Sequence, residues 1–263
     1  MRNAFRVVNL AVALPLLLPA QPRFEPRFEV LSVKQSQTGR LVQSIGSAPG
    51  GERYQAKAVT LKTLIQTAYR VRADQIVGGP NWIGEDRFDL EAKAEKPSSE
   101  EELRAMLKSA LSERFGLQFR SDTKELPAYI LTAEKSGPKM TPHDPERTGE
   151  AKVAFTTLQP LHMKVTGTAA SMELFAFRMN YLLDRPMIDQ TGLTGGYDFT
   201  LTYTMEAPES MKEGMTTHGG QPIDFTGPTI FRALREQLGL HLEPAKAPVE
   251  IMSISAVSKP VGN

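Results

Sequence analysis

The chain has 263 residues, 40% hydrophobic and 23% charged, with a formal net charge of +1 and no cysteine. That length and balance suit one large or two small globular units. The missing cysteine excludes disulfides, thiolate nucleophiles and Cys-ligated zinc or iron–sulfur sites, and a charge so near zero supplies neither a basic face for nucleic acid nor a polybasic membrane anchor.

The chain opens on MRNAFR, then the apolar run VVNLAVALPLLL, then PAQP. This is the order of a secretory signal peptide, and the run falls short of the roughly 20 residues that span a bilayer. Residues 1–20 are expected to be a leader cut after Ala20, with Leu18 a poor residue at the −3 position; an uncleaved anchor is the alternative. Losing Arg2 and Arg6 with the leader takes the formal charge from +1 to −1. The mature protein is then expected in the periplasm or outside the cell, with no stable membrane insertion.

RFEVLSVK (27–34) alternates as a first strand, and two short strand-like pieces follow before residue 60. In TLKTLIQTAY, Leu61, Leu64, Ile65, Ala68 and Tyr69 fall on one helical face, with Thr60 as N-cap. A glycine–proline turn at 78–80 precedes the strand RFDLEAKA. The clearest helix is SSEEELRAMLKSALSERFG, where Ser98 with Glu101, or Ser99 with Glu102, forms a capping box and Gly116 takes the C′ position. LQFR and LPAYILTAEK read as a pair of strands, and the polar, turn-rich segment 135–150 reads as a linker.

The second half runs in the same order. ASMELFAFRMNYLL is a helix capped by Ser171, TGLTGGYDFTLTY a turn and strand, and TGPTIFRALREQLG a helix with Pro228 near N1 and Gly239 at C′. LHLEPAKAPVEIMSISAV supplies two more strands. RFGLQF (114–119) matches QLGLHL (237–242), and RFDL (87–90) falls on GYDF (196–199). The expected fold class is α+β, built by internal duplication as two similar tandem modules, 27–134 and 151–260, each laying helices on a small, mostly antiparallel sheet.

FEVLSVK, VTLKTLIQTAYRV, GGPNWIGEDRFDLEAKA, LKSALSERFGLQF, RPMIDQTGLTGGYDFTLTYT, FRALREQLGLHLE and APVEIMSISAVSKP occur in this order from Phe28 to Pro260. Together they resemble a soil-associated secreted family of uncharacterised function that is expanded in acidobacteria. Related domains in that family form the exterior part of membrane-bound, regulatory-peptidase-like proteins, so the resemblance implies binding or sensing. SISAVSKP departs from the acidic or histidine-bearing strand that the family often carries before KP. Each half also resembles, in pattern, the short N-terminal modules of secretins and TonB receptors, which bind partners in the periplasm.

His143, His162, His218 and His241 show no paired-ligand spacing, so no metal and no cofactor is expected, although His218 shares a loop with Glu213 and Asp224. Ser98, Ser99 and Ser171 read as helix caps, since no GxSxG or SxxK context places a serine at a strained turn. Asp89 and Asp198 hold equivalent places beside Phe88 and Tyr197. Two such carboxylates meeting between the modules would make a secreted hydrolase; the structural alternative has each accepting backbone N–H bonds and fixing the start of its strand. The expected function is non-enzymatic: an exported module binding a protein, a peptide or an envelope polymer, or a sensor partnering a membrane protein. Its contact surface is expected around Trp82 and Tyr197 and in the loop 206–228, with Met211, Met215 and His218, or along an exposed strand edge.

Overall fold

Local sequence signals set most of the elements. The computed structural model describes residues 26–37, 43–48, 50–147, 151–206, 217–218, 221–222 and 224–260, so the expected leader lies outside the described residues. In the first half come β1 (Val30–Gln35), β2 (Ser44–Ser47), β3 (Arg53–Thr60), α1 (Leu61–Tyr69), β4 (Ile76–Val77), α2 (Trp82–Glu85), β5 (Arg87–Lys93), α3 (Glu100–Phe115) and β6 (Gln118–Ala133). The second half holds β7 (Thr141–Pro142), β8 (Lys152–Gln159), β9 (His162–Ala170), α4 (Met172–Met179), β10 (Met187–Asp189), β11 (Tyr197–Thr204), β12 (Thr217–His218), β13 (Gln221–Pro222), α5 (Ile230–Ala233) and β14 (Leu240–Ala256).

The caps fall where side-chain chemistry puts them. Thr60 Oγ1 accepts from Thr63 N, and Ser171 Oγ accepts from Leu174 N. Of the two capping boxes open to α3, Ser99 with Glu102 forms: Ser99 Oγ accepts from Glu102 N, and the Glu102 carboxylate accepts from Ser99 N. Gly116 and Gly239 end their helices at φ 55° and 64°, the left-handed conformation that glycine adopts without a Cβ clash. For the last helix the cap is Thr229, one residue beyond the proline, and a π-helical turn over Leu234–Leu238 carries it to Gly239.

The strands form three four-stranded sheets, ordered β1-β5-β3-β2, β7-β11-β9-β8 and β10-β6-β14-β4, beside the two-stranded β12-β13. Among the described residues, all pairings are antiparallel except β10 with β6 and β4 with β14. Two segments read as strand pairs are in fact single long strands. β6 and β14 pair from Gln118 opposite Ala256 to Ala133 opposite Leu240, with Glu125 facing Pro248 midway. Pro127, Pro244 and Pro248 sit beyond the short stretches flanked by β10 and β4, where a proline need not remove a ladder hydrogen bond. The β8–β9 hairpin has no counterpart in the sequence reading. Segment 135–150, expected as a linker, contributes β7, which pairs with β11, and buries Met140.

Two main cores result. Phe88 and Phe115 meet edge-to-face at 5.2 Å in the first, and Phe175 and Phe199 do so at 5.2 Å in the second. Burying each such ring contributes roughly 1.5–3 kcal/mol. The halves also exchange ends: Met252, Ile254 and Val257 pack into the first core, while Tyr129 and Leu131 of β6 pack into the second.

Candidate functional site

Asp89 and Asp198 occupy the same kind of place. Each lies opposite a bulge in the neighbouring strand, where the ladder slips between Ala56 and Val59 in one sheet and between Tyr197 and Phe199 in the other. In each bulge an alanine is left-handed, Ala58 at φ 51° and Ala169 at φ 46°, a conformation costing about 1–2 kcal/mol for a residue with a Cβ. Asp89 Oδ1 accepts the Ala58 N–H at 2.8 Å, and Asp198 Oδ1 accepts the Ala169 N–H at 2.9 Å. The carboxylates thus pin a neighbouring strand just before the helix caps Thr60 and Ser171. Ala58 and Ala169 carried no signal in the sequence, because alanine is an ordinary strand residue.

Asp198 has a second partner. His143 Nδ1 lies 2.9 Å from its Oδ1, and His143 Nε2 lies 3.2 Å from the Arg147 carbonyl. The Ala169 N–H, then His143 and Arg147, hold the Asp198 carboxyl below its usual 3.8. A depressed carboxyl contributes stability above its unfolded value that is lost as pH falls through the folded one. Asp198→Asn is therefore expected to lower the urea midpoint at pH 7, with the gap to the wild type narrowing as pH falls below 3.8; a gap independent of pH would show that the charge is irrelevant.

The bulges aim helices at a cleft of about 1060 Å³ between the halves. Its walls are the Gly50–Gly51 turn, Arg70 at the end of α1, the α3 start from Pro97 to Glu101, Ala169 with Ser171 and Leu174, and the Gly195–Gly196 turn. The size matches the upper end of the ~300–1,000 Å³ typical of small-molecule sites. Arg70 crosses it with only 5% of its side chain exposed. Its guanidinium pairs with Glu101, with Glu173 of α4 at 3.1 Å and with Glu100 at 3.8 Å. Two residues on, Arg72 donates to the Asn180 and Leu183 carbonyls at 3.0 and 2.8 Å, so the end of α1 straddles α4.

Burial raises the Glu100 carboxyl above its ordinary value, and Arg70 opposes it only in part. Burial likewise pushes Glu101 upward, but Arg104 and Arg70 outweigh it and hold that carboxyl low. Beside them, Tyr54 (6% exposed) is raised by burial and then by the Glu100 charge. Among the described residues, neither the Tyr54 hydroxyl nor Arg178 Nε has a hydrogen-bond partner.

The sequence-predicted contact residues lie elsewhere. Trp82 is half-buried, packed edge-to-face on Phe88 at 6.2 Å, with the Lys259 ammonium over its ring. Tyr197 is 9% exposed and belongs to the second core, so it is not a surface contact. Met211, Met215 and Glu213 lie outside the described residues, and His218 is placed only by the pairing of β12 with β13. No cluster of three metal-ligating side chains occurs among the described residues, and none of their helices is long and apolar enough to cross a membrane. The cleft itself had no sequence signature, since six separated segments of the chain build it.

The profile of a protein family of unknown function, DUF3738, matches residues 62–257, most of the chain. The chain belongs to DUF3738. The match begins within α1 and runs into the residues after β14, so the DUF3738 region takes in Arg70, α3, α4 and the strands β5 and β11 that carry Asp89 and Asp198. No curated protein and no solved structure matches this DUF3738 chain.

Proposed function

We propose that this DUF3738 protein is an exported, non-enzymatic binding module of the bacterial envelope or exterior, and that its ligand occupies the cleft between the halves. The observation that carries the reading is the cleft: its volume, and walls drawn from both halves around a buried arginine. The leader-like pattern of residues 1–20 supports export. Against hydrolysis by paired aspartates stands the engagement of Asp89 and Asp198 with strand bulges, neither of them lining the cleft.

The reading includes an internal duplication, in which each copy became one wall. It is supported by the matched capping residues, by the paired Asp–alanine bulges, and by strand orders that correspond position for position in two sheets. The third sheet fits the same idea: β4 of one half joins β14 of the other, and β10 joins β6, about a midpoint at Glu125 and Pro248.

Ser47 lines the cleft from the edge strand β2, where a large side chain can enter the space without disturbing a core. Ser47→Trp is expected to keep the wild-type melting temperature while retaining about tenfold less material from a cell-envelope extract, a loss of about 1.4 kcal/mol in binding. Equal retention by both proteins would place the ligand outside the cleft.

A further inference from the structure

A second cavity lies against the second core, apart from the cleft. It measures about 230 Å³ and shares no lining residue with the cleft. Tyr129 of β6, Tyr203 near the end of β11 and Phe231 of α5 bring three aromatic rings to it, and Leu182 and Met205 add aliphatic wall. The Tyr129 and Phe231 rings stand 5.5 Å apart at 67°, so they form a corner rather than a stack. Tyr203 is 6% exposed, and no hydrogen bond occupies its hydroxyl among the described residues.

The charge lining this space has one sign. Asp184 and Glu206 border it, and among the described residues no basic side chain does. Arg185 is near but lines a neighbouring hollow, and its guanidinium lies over the Tyr129 ring at 5.5 Å. The fold thus already lays one cation on this ring. Asp184 accepts from the Tyr129 hydroxyl at 3.0 Å and from Arg185 Nε at 3.1 Å, so its charge is balanced locally. Exposed Glu206 enters no ion pair among the described residues, and its charge is left over.

These surroundings sort the ligand classes. An anion meets two carboxylates, and a neutral apolar molecule strips their water without replacing it. A primary ammonium is strongly hydrated and brings three N–H donors, whereas each Asp184 oxygen already accepts one hydrogen bond. A methylated ammonium asks for no acceptor. Aromatic rings and carboxylates attract it through space, and its methyl groups bury against the aliphatic wall. The volume lies below the ~300–1,000 Å³ of drug-sized sites, which leaves room for a small head group and not for a polymer.

We propose that this cavity is a second binding site, one that takes a small quaternary ammonium ion. It does not depend on the cleft being occupied or on what occupies it.

The test is calorimetric titration of the purified chain with choline and with 3,3-dimethylbutanol, the uncharged isostere in which carbon replaces the nitrogen. Choline is expected to bind saturably and the isostere at least about tenfold more weakly, since charge alone separates them. Phe231→Leu keeps an apolar side chain but loses the ring, and should weaken choline binding about five- to tenfold. Glu206→Gln, at an exposed position, should weaken it about two- to threefold without disturbing the fold. Ser47→Trp, in the cleft, should leave choline binding unchanged. A melting curve shows whether Phe231→Leu is folded; if it is not, Glu206→Gln decides. Absence of saturable choline binding, equal binding of the isostere, or full affinity in Glu206→Gln or in folded Phe231→Leu overturns the proposal. Loss of choline binding in Ser47→Trp also overturns it, because the ion would then sit in the cleft.

Discussion

Gly51→Ala is expected to cost about 2–4 kcal/mol of folding stability, whereas Gly50→Ala next to it costs about 1 kcal/mol. Both glycines have positive φ, +68° and +91°, so both substitutions carry the backbone penalty. Only at Gly51 is there also a collision. A Cβ there would stand 2.2 Å from the Ser98 carbonyl oxygen, a backbone atom, whereas nothing lies within 4 Å at Gly50. Ser98 cannot simply move away, because its N–H donates to the Gly51 carbonyl and the next residue caps α3. The β2–β3 turn and the start of α3 are locked together at the cleft's edge. Urea denaturation of the two variants provides the check. Equal losses would mean that the contact is soft, and that the cleft wall adjusts without cost.

What the sequence made legible is what local chemistry decides. Ser99, Ser171, Gly116 and Gly239 could be placed because a cap depends on a few adjacent residues. The helical face of α1 could be placed because burial repeats every turn. The mixed α and β character followed from those elements. Long-range pairing was harder to read. The middle of β6 is SDTKE and the middle of β14 carries Pro244 and Pro248, which locally resemble turns; they stay extended because each strand has the other as partner over its whole length. The β8–β9 hairpin was hidden for the same reason, since polar Lys152, Thr156 and Gln159 sit on an edge strand with little to bury. Asp89 and Asp198 stood out in the sequence, but their partners, Ala58 and Ala169, lie about thirty residues away and look ordinary. The cleft was least legible of all. Arg70 looks like a solvated residue at the end of a helix until three glutamates from two other helices close on it.

That arginine gives the second large expected effect: Arg70→Met should destabilise the protein by about 2 kcal/mol at pH 7. Removing one partner of a buried ion pair typically costs 3–5 kcal/mol. Here the carboxylates are 45%, 56% and 63% exposed and can take up water once the guanidinium is gone, which lowers the figure. Methionine refills much of the volume of the arginine stem, so the loss reports charge more than packing. The sign with pH follows from Glu100. Its carboxyl is already raised by burial, and losing the opposing Arg70 charge raises it further. A group raised in the folded state stabilises most fully below its unfolded value, and that contribution disappears as pH rises through the folded one. The gap between wild type and Arg70→Met is therefore expected to be widest at neutral pH and to narrow as pH falls through the ordinary glutamate value of 4.5. Thermal melts at pH 7 and pH 4 decide it. A gap of constant size would mean that Arg70 holds the two halves together through its packed stem, and that its three ion pairs contribute little.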